Sequence, residues 1–171
     1  MNITVNVNGI DEAIERLNSY SHRLEQYAAE IVRRLSLIGY DVAYQILSDH
    51  IYSGETINSL TIIENDATHY TIMASSVALI FLEFGAGING GGHPLNGEFG
   101  TGPGTYPGQK NALNPRGWWY PTDDKNLAVV YNKSGQGFGH SYGNPPYMPF
   151  YNASRKIRDD ILTVAREVFS T

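Results

Sequence analysis

IDEAIERLNSYSHRLEQYAAEIVRRLSLIGYDVAYQILS, residues 10–48, is the stretch that decides the fold. Ile10, Ile14 and Leu17, then Leu24, Ala28, Ile31, Leu35, Ile38, Val42 and Ile46, recur every three or four residues in a heptad-like rhythm. Side chains at that spacing share one face of an α-helix. Glu12, Glu15, Arg16, Arg23, Glu25, Glu30, Arg33 and Arg34 fall on its other faces. The pattern predicts an amphipathic helix to about Ser48, broken near Ser19-Tyr20-Ser21, where polar residues interrupt the apolar run. Residues 21–48 alone would span about 40 Å as a helix. In so short a chain, such a rod has to lie along a sheet or against a neighbouring subunit.

On the N-terminal side, Ile3-Thr4-Val5-Asn6-Val7 alternates apolar and polar residues, as a half-buried strand does, and Gly9 ends it. On the C-terminal side, Ser53-Gly54 reads as a turn, followed by strands at 57–63 and 69–74 joined through Glu64-Asn65-Asp66. Ser75 or Ser76 is placed to cap a short apolar helix over 77–84, and Gly85 to end it. Residues 153–169 form a second amphipathic pattern, with Ile157, Ile161, Val164 or Ala165, and Val168 on one face. The fold class is therefore α+β: a small antiparallel sheet packed against a long N-terminal helix and a C-terminal helix.

Between these parts lies an unusual segment. Fifteen of the 18 glycines fall between Gly85 and Gly143, and all 8 prolines between Pro94 and Pro149. Residues 86–144 also hold Phe99, Tyr106, Trp118-Trp119-Tyr120, Tyr131, Phe138, Tyr142 and a strand-like run at 127–131. Disordered linkers are poor in aromatics, so this is an ordered excursion whose rings need a surface to rest on. The 171 residues then make one domain, 1–171, with a long insertion at 86–144.

Composition narrows the function. Twelve Lys and Arg against 17 Asp and Glu give a net charge of −5, which argues against a phosphate-binding surface built on overall charge. Cysteine is absent, and with it disulfides, thiolate metal sites and cysteine nucleophiles. No apolar run approaches the ~18 residues of a membrane span, and no basic stretch followed by an apolar one opens the chain, so neither a span nor a secretory signal is expected.

The histidines (His22, His50, His69, His93 and His140) show no His-Glu-x-x-His or zinc-type spacing. His93 and His140, with Glu98, Asp123 and Asp124, are the one set that the excursion can gather into a metal or acid–base cluster; loop histidines that simply hydrogen-bond are the commoner case. No Gly-x-Ser-x-Gly elbow exists. Gly100-Thr101-Gly102-Pro103-Gly104 lacks the following Lys-Ser/Thr of a phosphate loop, and Pro103 removes a donor. No catalytic residue, metal ligand or cofactor is assigned. Trp118-Trp119-Tyr120 is the best candidate recognition surface, either as an interface anchor or as a stacking platform for sugar rings. The scarcity of basic neighbours beyond Arg116 and Lys125 weakens nucleic-acid stacking and favours the interface. Glu83, closing the apolar run before Gly85, needs a partner, and a hydrogen bond to loop backbone is the default.

Three segments resemble signatures of one family. Ser53-Gly54-Glu55-Thr56-Ile57-Asn58-Ser59-Leu60 is similar to Thr-Gly-x-Leu-x-x-Ser-Ile. Ala78-Leu79-Ile80-Phe81-Leu82-Glu83-Phe84-Gly85 is similar to Tyr-Ala-x-x-Val-Glu-Phe-Gly, and Pro146-Tyr147-Met148-Pro149-Phe150-Tyr151-Asn152-Ala153 to Pro-Phe-Leu-x-Pro-Ala. In this order they resemble the head–tail connector or tail-completion (neck) proteins of long-tailed bacteriophages and prophages. Thr56 stands where Leu is usual and Ala86 where Thr is common, and the excursion is longer than the family pattern.

The resemblance implies a structural virion protein and not an enzyme. It implies a homo-oligomeric ring at the head–tail junction, made in the host cytoplasm, through which DNA passes at ejection. Its partners would be connector or stopper, tail terminator or tail tube proteins, with passing DNA contact and no membrane. A tail terminator capping the tube is the nearest alternative, and a carbohydrate- or cell-wall-binding module the alternative of another class. On this reading Trp118, Trp119, Tyr120, Phe84, Tyr147 and Phe150 are candidate interface residues, and Ser53, Gly54, Ser59, Glu83, Gly85 and Pro149 shape the motifs.

Overall fold

A computed structural model describes residues 9–50, 54–102, 104–106 and 113–170. The predicted strand at Ile3–Val7 and the motif residue Ser53 lie outside them. In chain order the elements are α1 (Ile10–Asp49), α2 (Glu55–Asn58), β1 (Thr61–Asp66), β2 (His69–Met73), α3 (Leu79–Phe84), β3 (Ala86–Gly87), α4 (Asn96–Phe99), β4 (Trp118–Thr122), β5 (Val130–Tyr131), β6 (Gly137–Ser141), β7 (Gly143–Asn144) and α5 (Pro149–Phe169). The α+β expectation holds, with the strands divided among three small antiparallel sheets: β1-β2, β3-β7 and β4-β6-β5.

The long periodic stretch forms a single unbroken helix of 40 residues, about 60 Å long. The expected break at Ser19-Tyr20-Ser21 does not occur: all three residues are exposed, and serine in a solvated helix costs only tenths of a kcal/mol, on the order of ~0.5. Helix α5 packs along the C-terminal half of α1. Leu35, Val164 and Val168 form one buried cluster, flanked by Tyr27, Ile31, Ile38 and Ile157. Ala43, Leu47, Leu60 and Ala153 form a second, against which Ile72, Leu79, Leu82 and Phe150 rest. The β1-β2 hairpin, paired from Thr61↔Met73 to Asp66↔His69, covers α1 beside this second cluster.

Local differences from the sequence reading have local causes. The strand expected from Ile57 begins at Thr61, because 55–58 wind into one helical turn. Ser59 Oγ donates to the Thr56 carbonyl and accepts the Ser75 N–H, while the buried Thr56 hydroxyl meets Ser76 Oγ at 2.6 Å. The Thr that departs from the family pattern thus ties α2 to the approach to α3. Helix α3 starts at Leu79 without a side-chain cap, and Gly85 (φ 81°) ends it. The strand expected at 127–131 shrinks to β5: Asp124 accepts the Asn126 N–H through its side chain and those of Leu127 and Ala128 through its carbonyl, which holds a turn there.

The ends of the excursion close on each other, since β3 pairs with β7 through Ala86↔Asn144 and Gly87↔Gly143. Within it, β6 runs between β4 and β5. Its aromatic and glycine contents are linked physically. A Cβ on Gly87 would lie 2.8 Å from the Trp118 ring, and one on Gly139 2.5 Å from the Tyr120 ring. These rings come so close to bare backbone that any other residue there would push them away.

Candidate functional site

The second and third signature segments meet at one joint. Pro149 is the first residue of α5, so the next amides, Phe150 and Tyr151, are among the donors left without intrahelical acceptors. Met148, at the N-cap position, offers them no side-chain hydrogen bond. The carboxylate comes from across the fold: Glu83 Oε2 accepts the Phe150 N–H and Oε1 the Tyr151 N–H, both at 2.9 Å. A negative charge at a helix N-terminus is also stabilised by the aligned peptide dipoles. Beside it, the Leu82 carbonyl accepts the N–H of Tyr147 at 2.8 Å and of Met148 at 3.3 Å. Met148 sits at φ 58°, alone in positive φ among the described non-glycine residues, and this pair of bonds holds it there. Asn144 Nδ2 donates to the Phe81 carbonyl and completes the seam between α3 and the chain entering α5.

The excursion contributes the third donor. His93, buried, places Nε2 3.2 Å from Glu83 Oε1, while the Leu95 N–H donates to its Nδ1 at 3.1 Å. Because Nδ1 accepts, the proton resides on Nε2, and His93 donates to Glu83. The imidazole is wedged between Phe84 (centroids 4.5 Å apart) and Tyr151 (5.2 Å). Tyr106 is the second anchor: its hydroxyl donates to the Gly85 carbonyl at 2.8 Å, and its ring stands edge-on to Phe81. Burial pushes the Tyr106 phenol up from the usual tyrosine value, which keeps it a donor. Glu83 is thus a structural cap with three N–H partners; the sequence pointed to its need for backbone bonds, and the fold supplied the helix terminus and the histidine.

The remaining predicted residues are distributed as follows. Strand alternation splits the Trp118-Trp119-Tyr120 run, with Trp118 and Tyr120 half-buried on one side of β4 and Trp119 53% exposed on the other, so the three do not form one platform. Trp119 instead neighbours His140 (4.5 Å), which in turn meets Tyr142 (4.8 Å). Phe84, Tyr147 and Phe150 are half-buried within the chain: Phe84 against His93 and Phe99, Tyr147 stacked on His50 at 3.5 Å, and Phe150 on the second core cluster. Gly54 precedes α2, Ser59 follows it, and Pro149 is fully buried.

The histidine–acid set proposed from sequence does not assemble. His93 goes to Glu83, and His140 Nε2 donates to the Arg116 carbonyl at 2.8 Å. Among the described residues no three His, Asp or Glu side chains gather as a metal site, and no helix is long and apolar enough to cross a membrane. Two carboxylates near the surface, the exposed Asp66 and the half-buried Glu30, are shifted. Asp66 is held at about 2 by its bond to His69 and then by the Thr68 N–H and hydroxyl; Glu30 is held at about 2 by Arg33 and then Arg34. Both belong to surface ion pairs.

The feature that the sequence reading left undivided is the two halves of α1. Every residue from 10 to 26 is exposed, including Ile10, Ile14, Leu17, Tyr20 and Leu24. Helix α5, with 21 residues and about 31 Å, covers only the rest. Comparison with protein-family models, with curated proteins and with solved structures gave no match.

Proposed function

We propose that this chain is a structural protein of the phage head–tail junction, of the neck or tail-completion type, that works by forming interfaces and not by catalysis. The observation that carries this reading is the projecting half of α1: about 25 Å of helix with an apolar stripe that the other described residues leave in water. Exposed apolar patches of this kind mark association surfaces. The resemblance to neck proteins supplies the biological setting. It gains support from the way its signature segments act as one unit, the Glu83 joint binding the second to the third and the Thr56–Ser76 and Ser59–Ser75 bonds binding the first to the approach to α3. On this reading the joint makes a rigid protomer, the copies build a ring, and the exposed Trp119 edge faces a neighbouring ring.

The test is the mass of the purified chain by light scattering, alone and with connector, terminator or tail-tube proteins of the same virion. A closed oligomer, or one formed with those partners, supports the proposal; a chain that ignores all of them overturns it. The glycan-binding alternative retains one favourable observation, the exposed Trp119–His140–Tyr142 cluster. It requires that Trp119→Ala abolish binding to cell-wall glycan.

A further inference from the structure

We infer that the projecting half of α1 docks head-to-tail into a cleft on the body of a second copy of this chain. The inference rests on the neck reading for its setting and goes beyond it by assigning the two faces of the contact.

The first face is the stripe. Ile10, Leu17 and Leu24 lie whole heptads before Ile31 and Ile38, and Ile14 before Leu35. The stripe therefore continues the face that α5 covers further along, with a drift of only about 20° per heptad. Ile10, Ile14, Leu17, Tyr20 and Leu24 are 53, 49, 66, 55 and 37% exposed. Together they present roughly 500 Å², near the top of what monomers show.

The second face is an apolar cleft of about 450 Å³ between α1, β2 and α5, lined by Val32, Leu35, Tyr70, Ile72, Phe150 and Ile157. One turn further along α5, beyond the cleft, stand Ile161 and Leu162, 42 and 67% exposed, although the helical period places Ile161 on the predicted inward face. A volume of this size takes several aliphatic side chains.

Geometry makes the contact intermolecular. The cleft is built partly on residues 32–36 of the same unbroken helix whose tip carries the stripe, so one chain cannot fold its tip into its own cleft. Charge agrees with the pairing. The tip carries Asp11, Glu12, Glu15 and Glu25 against Arg16 and Arg23. The cleft segment of α5 carries Arg155, Lys156 and Arg158 against Asp159 and Asp160, and Arg155 and Arg158 have no ion-pair partner among the described residues.

One contact of this kind buries roughly 800 Å² of apolar surface before its polar rim, the scale of a weak interface, which closing several such contacts into one assembly reinforces. Two different faces on one chain produce a ring where the rotation closes.

The absence of cysteine makes the test direct. Leu17→Cys and Ile161→Cys single variants, mixed under mild oxidation, are expected to cross-link to a dimer that neither forms alone. The double variant is expected to give a ladder that stops at the ring number. Leu17→Asp, at an exposed position, is expected to weaken self-association at least tenfold with an unchanged circular dichroism spectrum. A Leu17→Cys dimer that forms without the second variant, a failure of the mixture to cross-link, or undiminished association of Leu17→Asp overturns the inference. Binding of the Leu17→Asp chain to connector and tail proteins, measured separately, tells whether the neck reading falls with it.

Discussion

Replacing Glu83 by alanine removes the acceptor for three donors at once: the part-buried Phe150 and Tyr151 amides and the buried His93 Nε2. A buried donor left unsatisfied costs about 1–3 kcal/mol, and loss of a helix cap typically about 1 kcal/mol. Water entering the space recovers part of this, so the expected loss is about 3–5 kcal/mol, comparable to breaking a buried charged pair. Against a total stability of about 5–15 kcal/mol that is a large fraction. Glu83→Gln keeps the shape and one acceptor oxygen but turns an NH2 toward a donor, for an expected loss of about 1–2 kcal/mol. Urea unfolding measures both, and hydrogen exchange locates them, since the Phe150 and Tyr151 amides should lose protection before the middle of α5 does. A cycle with His93→Ala should show a coupling of about 0.5–3 kcal/mol. An alanine variant within about 0.5 kcal/mol of the parent, the ordinary scale of a surface substitution, with those two amides still protected, would refute the account of the joint.

Proton-detected nitrogen spectra should find His93 in the Nε2–H form, since the Leu95 amide already donates to Nδ1; an Nδ1–H signal contradicts this. Gly143→Val should open the β3–β7 clasp. A Cβ there falls on the Ala86 carbonyl, and φ is 88°, so the expected loss is about 2–4 kcal/mol, read by thermal unfolding. Leu47→Ala, in the core at 2% exposure, should cost about 2–5 kcal/mol in the same measurement. The Asp66 carboxyl should titrate near 2 by carbon NMR. A depressed folded value means that its contribution is fully present above the ordinary carboxylate range and fades as pH falls through about 2; Asp66→Asn should lack that pH dependence, and a midpoint near 4 contradicts the His69 contact.

Both long helices were legible in the sequence, because each is written in neighbouring residues. The three- and four-residue rhythm of Ile31, Leu35 and Ile38 predicts α1, and the glycine and proline content marks out the segment whose ends pair at Ala86↔Asn144. Alternation also tells that Trp118 and Trp119 point apart, but only once 118–122 is known to be a strand, and Pro121 within it and Gly117 just before it concealed that.

Periodicity, composition and chirality act over one or two turns of chain, and they determined which residues become helix, which face is apolar and where the chain must bend. Tertiary structure alone decided what those faces meet. Glu83 finds its acceptor duty 67 and 68 residues away, at a helix start that has no capping side chain of its own. The stripe on α1 is much the same from Ile10 to Ile38, and nothing local divides it. Its second half is core and its first half a surface because α5 is about 30 Å shorter than the helix it covers.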